Sequence, residues 1–203
     1  MHAIVLNATL KPSPEQSSTE ALAGVVSNEL EARGVTTETI RLVDQDISPG
    51  VVSEAVREGD GWPAIHAKLL AADILIMASP TWLGQPSSEC RRALERMDAM
   101  LSESGDDGVP VAYNKVAGIV ITGNEDGAHA GVATIAQALF DIGYTVPAQA
   151  WTYWNKGPGP GDEVYLNTSE KQWTDGQAAA CAQNVHAVAV ALAANPSPKP
   201  PNA

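Results

Sequence analysis

Residues 2–19 read HAIVLNATLKPSPEQSST, and the rest of the chain is laid out around them. The run Ala3-Ile4-Val5-Leu6 is apolar and partly β-branched, so it reads as a buried strand. It gives way to Thr9-Leu10-Lys11-Pro12-Ser13-Pro14, and a helix is under way by Glu20-Ala21-Leu22-Ala23. A loop so placed sits at the carboxyl end of a parallel strand and at the positive end of a helix. Both favour an anion, and a phosphate above all. The hydroxyls of Thr9, Ser17, Ser18 and Thr19 offer hydrogen bonds to such a group, and Lys11 adds one cation. Ser17, Ser18 and Thr19 are equally ordinary helix caps, and Pro12 and Pro14 are ordinary loop residues. The stretch contains neither GxGxxG nor GxxxxGK[ST], which disfavours a dinucleotide fingerprint and a Walker loop. The other loops must decide.

The strand–helix alternation recurs along the chain. A helix over 18–33 presents Leu22, Val25, Val26 and Leu30 on one face, with Gly34 to close it, and 35–42 reads as a partly exposed second strand. Residues 43–63 form a long connection, which either covers a site or is a surface excursion. A helix over 62–72 leads to a third strand, 73–78, whose unbroken hydrophobicity requires cover on both faces. Then follow a loop (79–85), a helix (86–101), an acidic glycine-rich loop (102–113) and a fourth strand (116–121). A third loop (122–131), a helix (132–142), a fifth strand within 144–153 and a final helix (169–193) complete the pattern. Residues 195–203 are proline-rich and are expected to be a disordered tail behind a single domain, 1–194. This alternation predicts an α/β three-layer sandwich with a five-stranded parallel sheet and helices on both faces. Such sheets bind ligands beyond the carboxyl ends of their strands.

Composition narrows the function. The 203 residues suffice for a core without disulfides or metal, and a net charge of −12 argues against nucleic acid. No basic n-region precedes the first strand and no run is long enough to span a bilayer, so a cytoplasmic protein is expected. The two cysteines, Cys90 and Cys181, form no CxxC and read as free buried thiols; no metal cluster is indicated.

The second loop, Ser79-Pro80-Thr81-Trp82-Leu83-Gly84-Gln85, brings a tryptophan to a strand end, where it can stack on a flat heteroaromatic ring or simply pack. Gly84 allows close backbone approach. The third loop, Thr122-Gly123-Asn124-Glu125-Asp126-Gly127-Ala128-His129, offers amides to the polar edge of such a ring. Glu125 and Asp126 also read as helix-start acids, and His129 as a surface histidine. Together the three loops describe a site for a phosphorylated planar cofactor, and flavin mononucleotide (FMN) fits best.

On these residues the chain resembles the flavodoxin-like NAD(P)H-dependent FMN and quinone reductases. The resemblance rests on Asn7-Ala8-Thr9-Leu10-Lys11 with Ser17-Ser18-Thr19, on SPTWLGQPSSECRRALERMD (79–98), and on TGNEDGAH with ALFDIGYTVPAQAWTYWN (138–155). It implies a flavodoxin-like sheet in the order 2-1-3-4-5. It places the FMN phosphate on Thr9, Lys11, Ser17, Ser18 and Thr19, and the isoalloxazine against Pro80, Thr81, Trp82, Leu83 and Gly84. The polar edge would lie near Thr122, Gly123, Asn124 and Gly127. It further implies a homodimer or homotetramer, NAD(P)H as donor and a quinone or similar small acceptor; the charge and the lack of a long apolar run already speak against a nucleic-acid or membrane partner. His129 is the one side chain named as a catalytic proton donor, and Trp151, Tyr153 and Trp154 either wall the acceptor pocket, form an interface or pack. The phosphate loop departs from the T-x-T-G-x-T of electron-carrier flavodoxins, and the cysteine cluster of related iron–sulfur flavoproteins is missing. A flavodoxin-type carrier serving protein partners is the second reading, and a flavin-free regulatory domain a third.

Overall fold

The computed structural model describes residues 1–159 and 161–201. Strands β1 (His2–Asn7), β2 (Thr36–Arg41), β3 (Ile74–Trp82), β5 (Val116–Gly123) and β6 (Trp151–Asn155) form a parallel sheet in the order β2-β1-β3-β5-β6. A two-residue strand, β4 (Gln85–Pro86), turns back antiparallel on β3. With β4 set aside, the order is the expected 2-1-3-4-5 of a flavodoxin-like fold.

Side chains alternate across the central strands, so every one of them meets a covered face. Ile4, Leu6, Leu75, Met77, Ile119 and Ile121 enter one core, beneath α2 (Trp62–Ala71), α3 (Ser88–Met97) and α4 (Ala128–Ile142). Val5, Ile76 and Val120 enter the other, beneath α1 (Ser18–Glu31) and α5 (Gln172–Ala194). Each large aliphatic chain so buried contributes about 1.5–3 kcal/mol, which is why these runs are continuous rather than alternating. Gly118 in β5 serves the second core: a Cβ there would sit 2.9 Å from Ile76 Cδ1 and 3.2 Å from Cys181 Sγ.

Several boundaries differ from the sequence expectation. β3 continues to Trp82, because Ser79 and Pro80 keep pairing with Ile121 and Thr122, and Thr81 and Trp82 pair with β4. Leu83 and Gly84 have φ of 52° and 73°, the left-handed pair of a two-residue hairpin. The expected second loop is therefore a strand end and a hairpin. The helix expected over 86–101 is α3 followed by a tighter turn, Asp98–Ser102. The last strand starts at Trp151, since the chain turns at residues 147–150 and Thr145 makes only an isolated bridge to Val116. In the tail, the Ser197 amide donates to Asn114 Oδ1 at 2.7 Å, and Asn114 Nδ2 returns a bond to the Ser197 carbonyl. Its residues 202–203 lie outside the described residues.

Residues 45–61 wrap around one arginine. Arg96 donates to the carbonyls of Ser48, Val52 and Glu54 and, at 2.7 Å, to Asp60 Oδ2; both side chains are wholly buried. Burial alone would raise the Asp60 pKa, but the amides of Val56, Ser48 and Trp62 and the Arg96 guanidinium hold it well below the ordinary value. Both thiols are buried and pushed up to about 12, leaving them protonated and inert.

Candidate functional site

The carboxyl ends of β1, β3, β5 and β6 open into one cleft. Three chain segments meet there, as the parallel topology requires.

The first follows β1. The buried Asn7 turns its Oδ1 back to the Thr9 amide, and Thr9 Oγ1 accepts from the Lys11 amide, so the chain leaves the strand in a tight bend. Behind the bend, Arg41 of β2 donates to the carbonyls of Lys11 and Glu15 and pairs with Glu20. Ser17 caps α1 by accepting the Glu20 amide at 3.2 Å, and its carbonyl takes the Ala21 amide. The amides of Ser18 and Thr19, with no partner within the helix, remain free for an anion at the positive end of the helix. Lys11 Nζ lies 3.2 Å from the Gln16 carbonyl, which holds its charge over this cradle.

The second segment is Pro80-Thr81-Trp82 at the end of β3, with the Trp82 ring about half exposed. The third is Thr122-Gly123-Asn124 at the end of β5, joined to the first by a 2.7 Å hydrogen bond between the hydroxyls of Thr19 and Thr122. A Cβ on Gly123 would sit 3.0 Å from Thr81 Cβ and 3.2 Å from the Glu125 carbonyl, so glycine is what lets the two segments close together.

Thr9, Lys11, Ser17, Ser18, Thr19, Pro80, Thr81, Trp82, Thr122, Gly123 and Asn124 all line the cleft. Leu83, Gly84, Gly127 and His129 do not. Leu83 stands at the hairpin tip, 92% exposed. Gly84 and Gly127 pack on each other: a Cβ on Gly127 would fall 2.7 Å from Gly84 Cα, so these glycines seat the hairpin on the third loop. His129, in the first turn of α4, sets its ring edge-on to Trp151 and Tyr153 at 5.7 and 5.1 Å. Trp151 and Tyr153 stack on one another there, whereas Trp154 points to the other sheet face and enters the cleft.

Sequence reasoning passed over Leu10, Val164 and Tyr165 as cleft residues. Leu10 lay in plain view beside Thr9. Val164 and Tyr165 belong to the β6–α5 connection, and nothing in their spacing marks them.

The donor set fits a phosphorylated flavin: free helix amides, four hydroxyls and one ammonium from the first segment, and an indole with Thr122, Gly123 and Asn124 from the others. Among the described residues, no group of three or more His, Cys, Asp or Glu side chains could hold a metal ion. No helix among them is long and apolar enough to cross a membrane.

Residues 1–158 match the family described as NADPH-dependent FMN reductase, and the chain belongs to that family. The chain is similar to the 8-demethyl-8-aminoriboflavin-5′-phosphate synthase of Streptomyces davaonensis (37% identity over 171 residues, 79% of this chain and 66% of that protein). It is also similar to part of the divalent metal cation transporter MntH of Mycobacterium bovis (40% over 165 residues, 79% of this chain and 24% of that protein). The chain thus spans about a quarter of one curated relative and about two thirds of the other. Among solved structures, RosB with bound 8-demethyl-8-formylriboflavin-5′-phosphate superposes with a TM-score of 0.85 at 32% identity, over 97% of this chain and 82% of that one.

Proposed function

We propose that the cleft holds FMN and that the protein passes electrons from NAD(P)H to a quinone or similar small acceptor. The observation that carries this reading is the convergence of the three predicted loops on one cleft, with phosphate donors from the first and an indole from the second. Bound FMN would supply the redox chemistry, hydride acceptance from NAD(P)H and electron release to the acceptor.

The side chains bind, orient and shield. The free amides of Ser18 and Thr19, the hydroxyls of Thr9 and Ser17 and the Lys11 ammonium hold the phosphate. Pro80, Thr81 and Trp82 flank the ring system, while Thr122, Gly123 and Asn124 meet its polar edge. Leu83, Gly84 and Gly127 act one step back, through the hairpin they set in place. His129 is exposed and meets the partly buried Trp151 and Tyr153 outside the cleft lining, so any proton it delivers goes to an acceptor lying over Trp151 and Tyr153. We place the working protein in the cytoplasm, as a homodimer or homotetramer.

The test is to titrate the protein, stripped of flavin, with FMN and then add NADPH or NADH without oxygen. Tight binding and rapid bleaching of the flavin absorbance support the reductase. Binding without bleaching supports an electron carrier for protein partners. Failure to bind FMN sinks both.

A second reading draws on the likeness to RosB, whose structure holds a modified flavin phosphate. In it the flavin phosphate is the substrate and leaves chemically changed. Mass spectrometry of the flavin recovered after turnover separates the two: an unaltered FMN mass supports the redox cofactor, and an altered mass the modifying enzyme.

A further inference from the structure

The fold requires its helices to be apolar only where they cover the sheet. α3 obeys this, with half of its ten residues charged. α4 and α5 do not. Asp141 and Asp175 are the only Asp, Glu, Lys or Arg in α4, β6 and α5, in a chain with 12 basic and 24 acidic residues. These three elements are neighbours at one end of the sheet, since β6 is its edge strand and both helices pack on it.

A row of rings joins them. Trp151 and Tyr153 of β6 stack at 5.6 Å, and His129 of α4 stands edge-on to both. Trp173 of α5, 55% exposed, lies 5.3 Å from Tyr153. Ala133 and Phe140 follow His129 about one and three turns along α4, so they share its side of the helix, and all three are exposed. The backbone of this edge is already closed. Gln177 Nε2 donates to the Trp151 carbonyl at 3.1 Å, Thr174 Oγ1 to the Tyr153 carbonyl at 3.0 Å and Asn184 Nδ2 to the Ala148 carbonyl at 2.8 Å. A strand added here would find those carbonyls taken, so whatever covers this end meets side chains.

The charge of the chain selects the occupant. With a net charge of −12, two copies repel wherever their acidic surfaces meet, and a two-fold axis sets each face against itself. A face that is aromatic and nearly free of charge is the one a second copy approaches without that repulsion, and it has the make-up of an interface core. A basic partner would instead be drawn to the acidic surface elsewhere. We infer that the α4–β6–α5 end joins two copies of this chain, side chain to side chain. The inference rests on the homo-oligomer reading above and gives it a surface. An acceptor lying over Trp151 and Tyr153 then sits at the junction of two copies.

Its test is sedimentation velocity of the full chain, Ala133→Glu, Phe140→Glu and a control, Leu70→Glu, over a concentration series, with thermal melts to show each is folded. Leu70, 38% exposed, lies on α2, which packs on β1, away from β6. The unsubstituted chain and Leu70→Glu sediment as the same oligomer. Each of the other two sets like charges across the axis and raises the dissociation constant at least about tenfold. An oligomer equally tight in folded Ala133→Glu and Phe140→Glu, or loosened as much by Leu70→Glu, overturns the inference and leaves the oligomer reading in place. A monomeric unsubstituted chain overturns both, and leaves this end to a different protein or a flat small molecule. Should either variant not fold, Trp173→Glu takes its place, and an unchanged dissociation constant again overturns the inference. FMN titration of the same samples tests the cofactor reading separately.

Discussion

Two long irregular segments, residues 8–17 and 45–61, are each braced by a buried arginine, yet they end with opposite character. Arg96 stands inside its segment and spends its donors on three carbonyls and the buried Asp60 carboxylate. The backbone of 45–61 is turned inward around it, and no residue of that segment lines the cleft. Arg41 stands behind its segment. It takes the carbonyls of Lys11 and Glu15 from the rear, which leaves the hydroxyls of Thr9 and Ser17 and the helix amides facing the cleft. One arrangement closes a loop on itself, and the other keeps a loop rigid while its donors stay available. A preformed binding loop needs the second, because donors already paired within the protein have nothing to offer a ligand.

The sharpest way to break this contrast is Arg96→Ala, which strands the Asp60 charge. The loss in stability is expected at about 3–5 kcal/mol by urea unfolding, with FMN affinity of the folded protein unchanged. An equal loss of FMN affinity would mean that 45–61 supports the cleft after all. Acid probes the same pair. Asp60 has a depressed folded pKa, so its contribution is fully present above the ordinary aspartate value of 3.8 and is lost as the pH falls through the lower folded value. Melts from pH 5 downward should show falling stability, and that fall should be much shallower in Asp60→Asn.

Arg41→Ala should give the opposite signature from Arg96→Ala. Stability falls by about 1–3 kcal/mol while FMN affinity drops about tenfold, because the brace holds the phosphate donors in place. Unchanged affinity by fluorescence titration would show that the bend after β1 holds its shape without Arg41. Smallest is Trp82→Ala. Loss of ring stacking weakens FMN by about 0.5–1.5 kcal/mol and leaves the melting temperature nearly unmoved, since the ring is half exposed. An FMN affinity and flavin spectrum identical to those of the unsubstituted protein would remove Trp82 from the site.

The sequence shows the parts of the site that depend on local chemistry. Thr9, Lys11 and Ser17-Ser18-Thr19 announce themselves because a strand end, a loop and a helix start are read from neighbouring residues. Pro80-Thr81-Trp82 and Thr122-Gly123-Asn124 are found because each comes at the end of a run of apolar strand residues. The Trp82–Gln85 hairpin is harder to see, since Leu83 in a left-handed conformation carries none of the usual Asn-Gly signal. The long 43–63 connection could not be assigned either way, because its organiser, Arg96, lies outside it on α3.

What the sequence determines alone is the alternation of buried strands and amphipathic helices. With it come the parallel sheet and the end of that sheet where a ligand must lie, because hydrophobic period and helix capping are local properties. Tertiary structure alone decides which residues face the cleft from afar. It brings Thr19 to Thr122, Gly127 to Gly84, Asp60 to Arg96, and Asn124 to Gly161. Such contacts join residues tens of positions apart through crossover and close packing, and no periodicity along the chain encodes them.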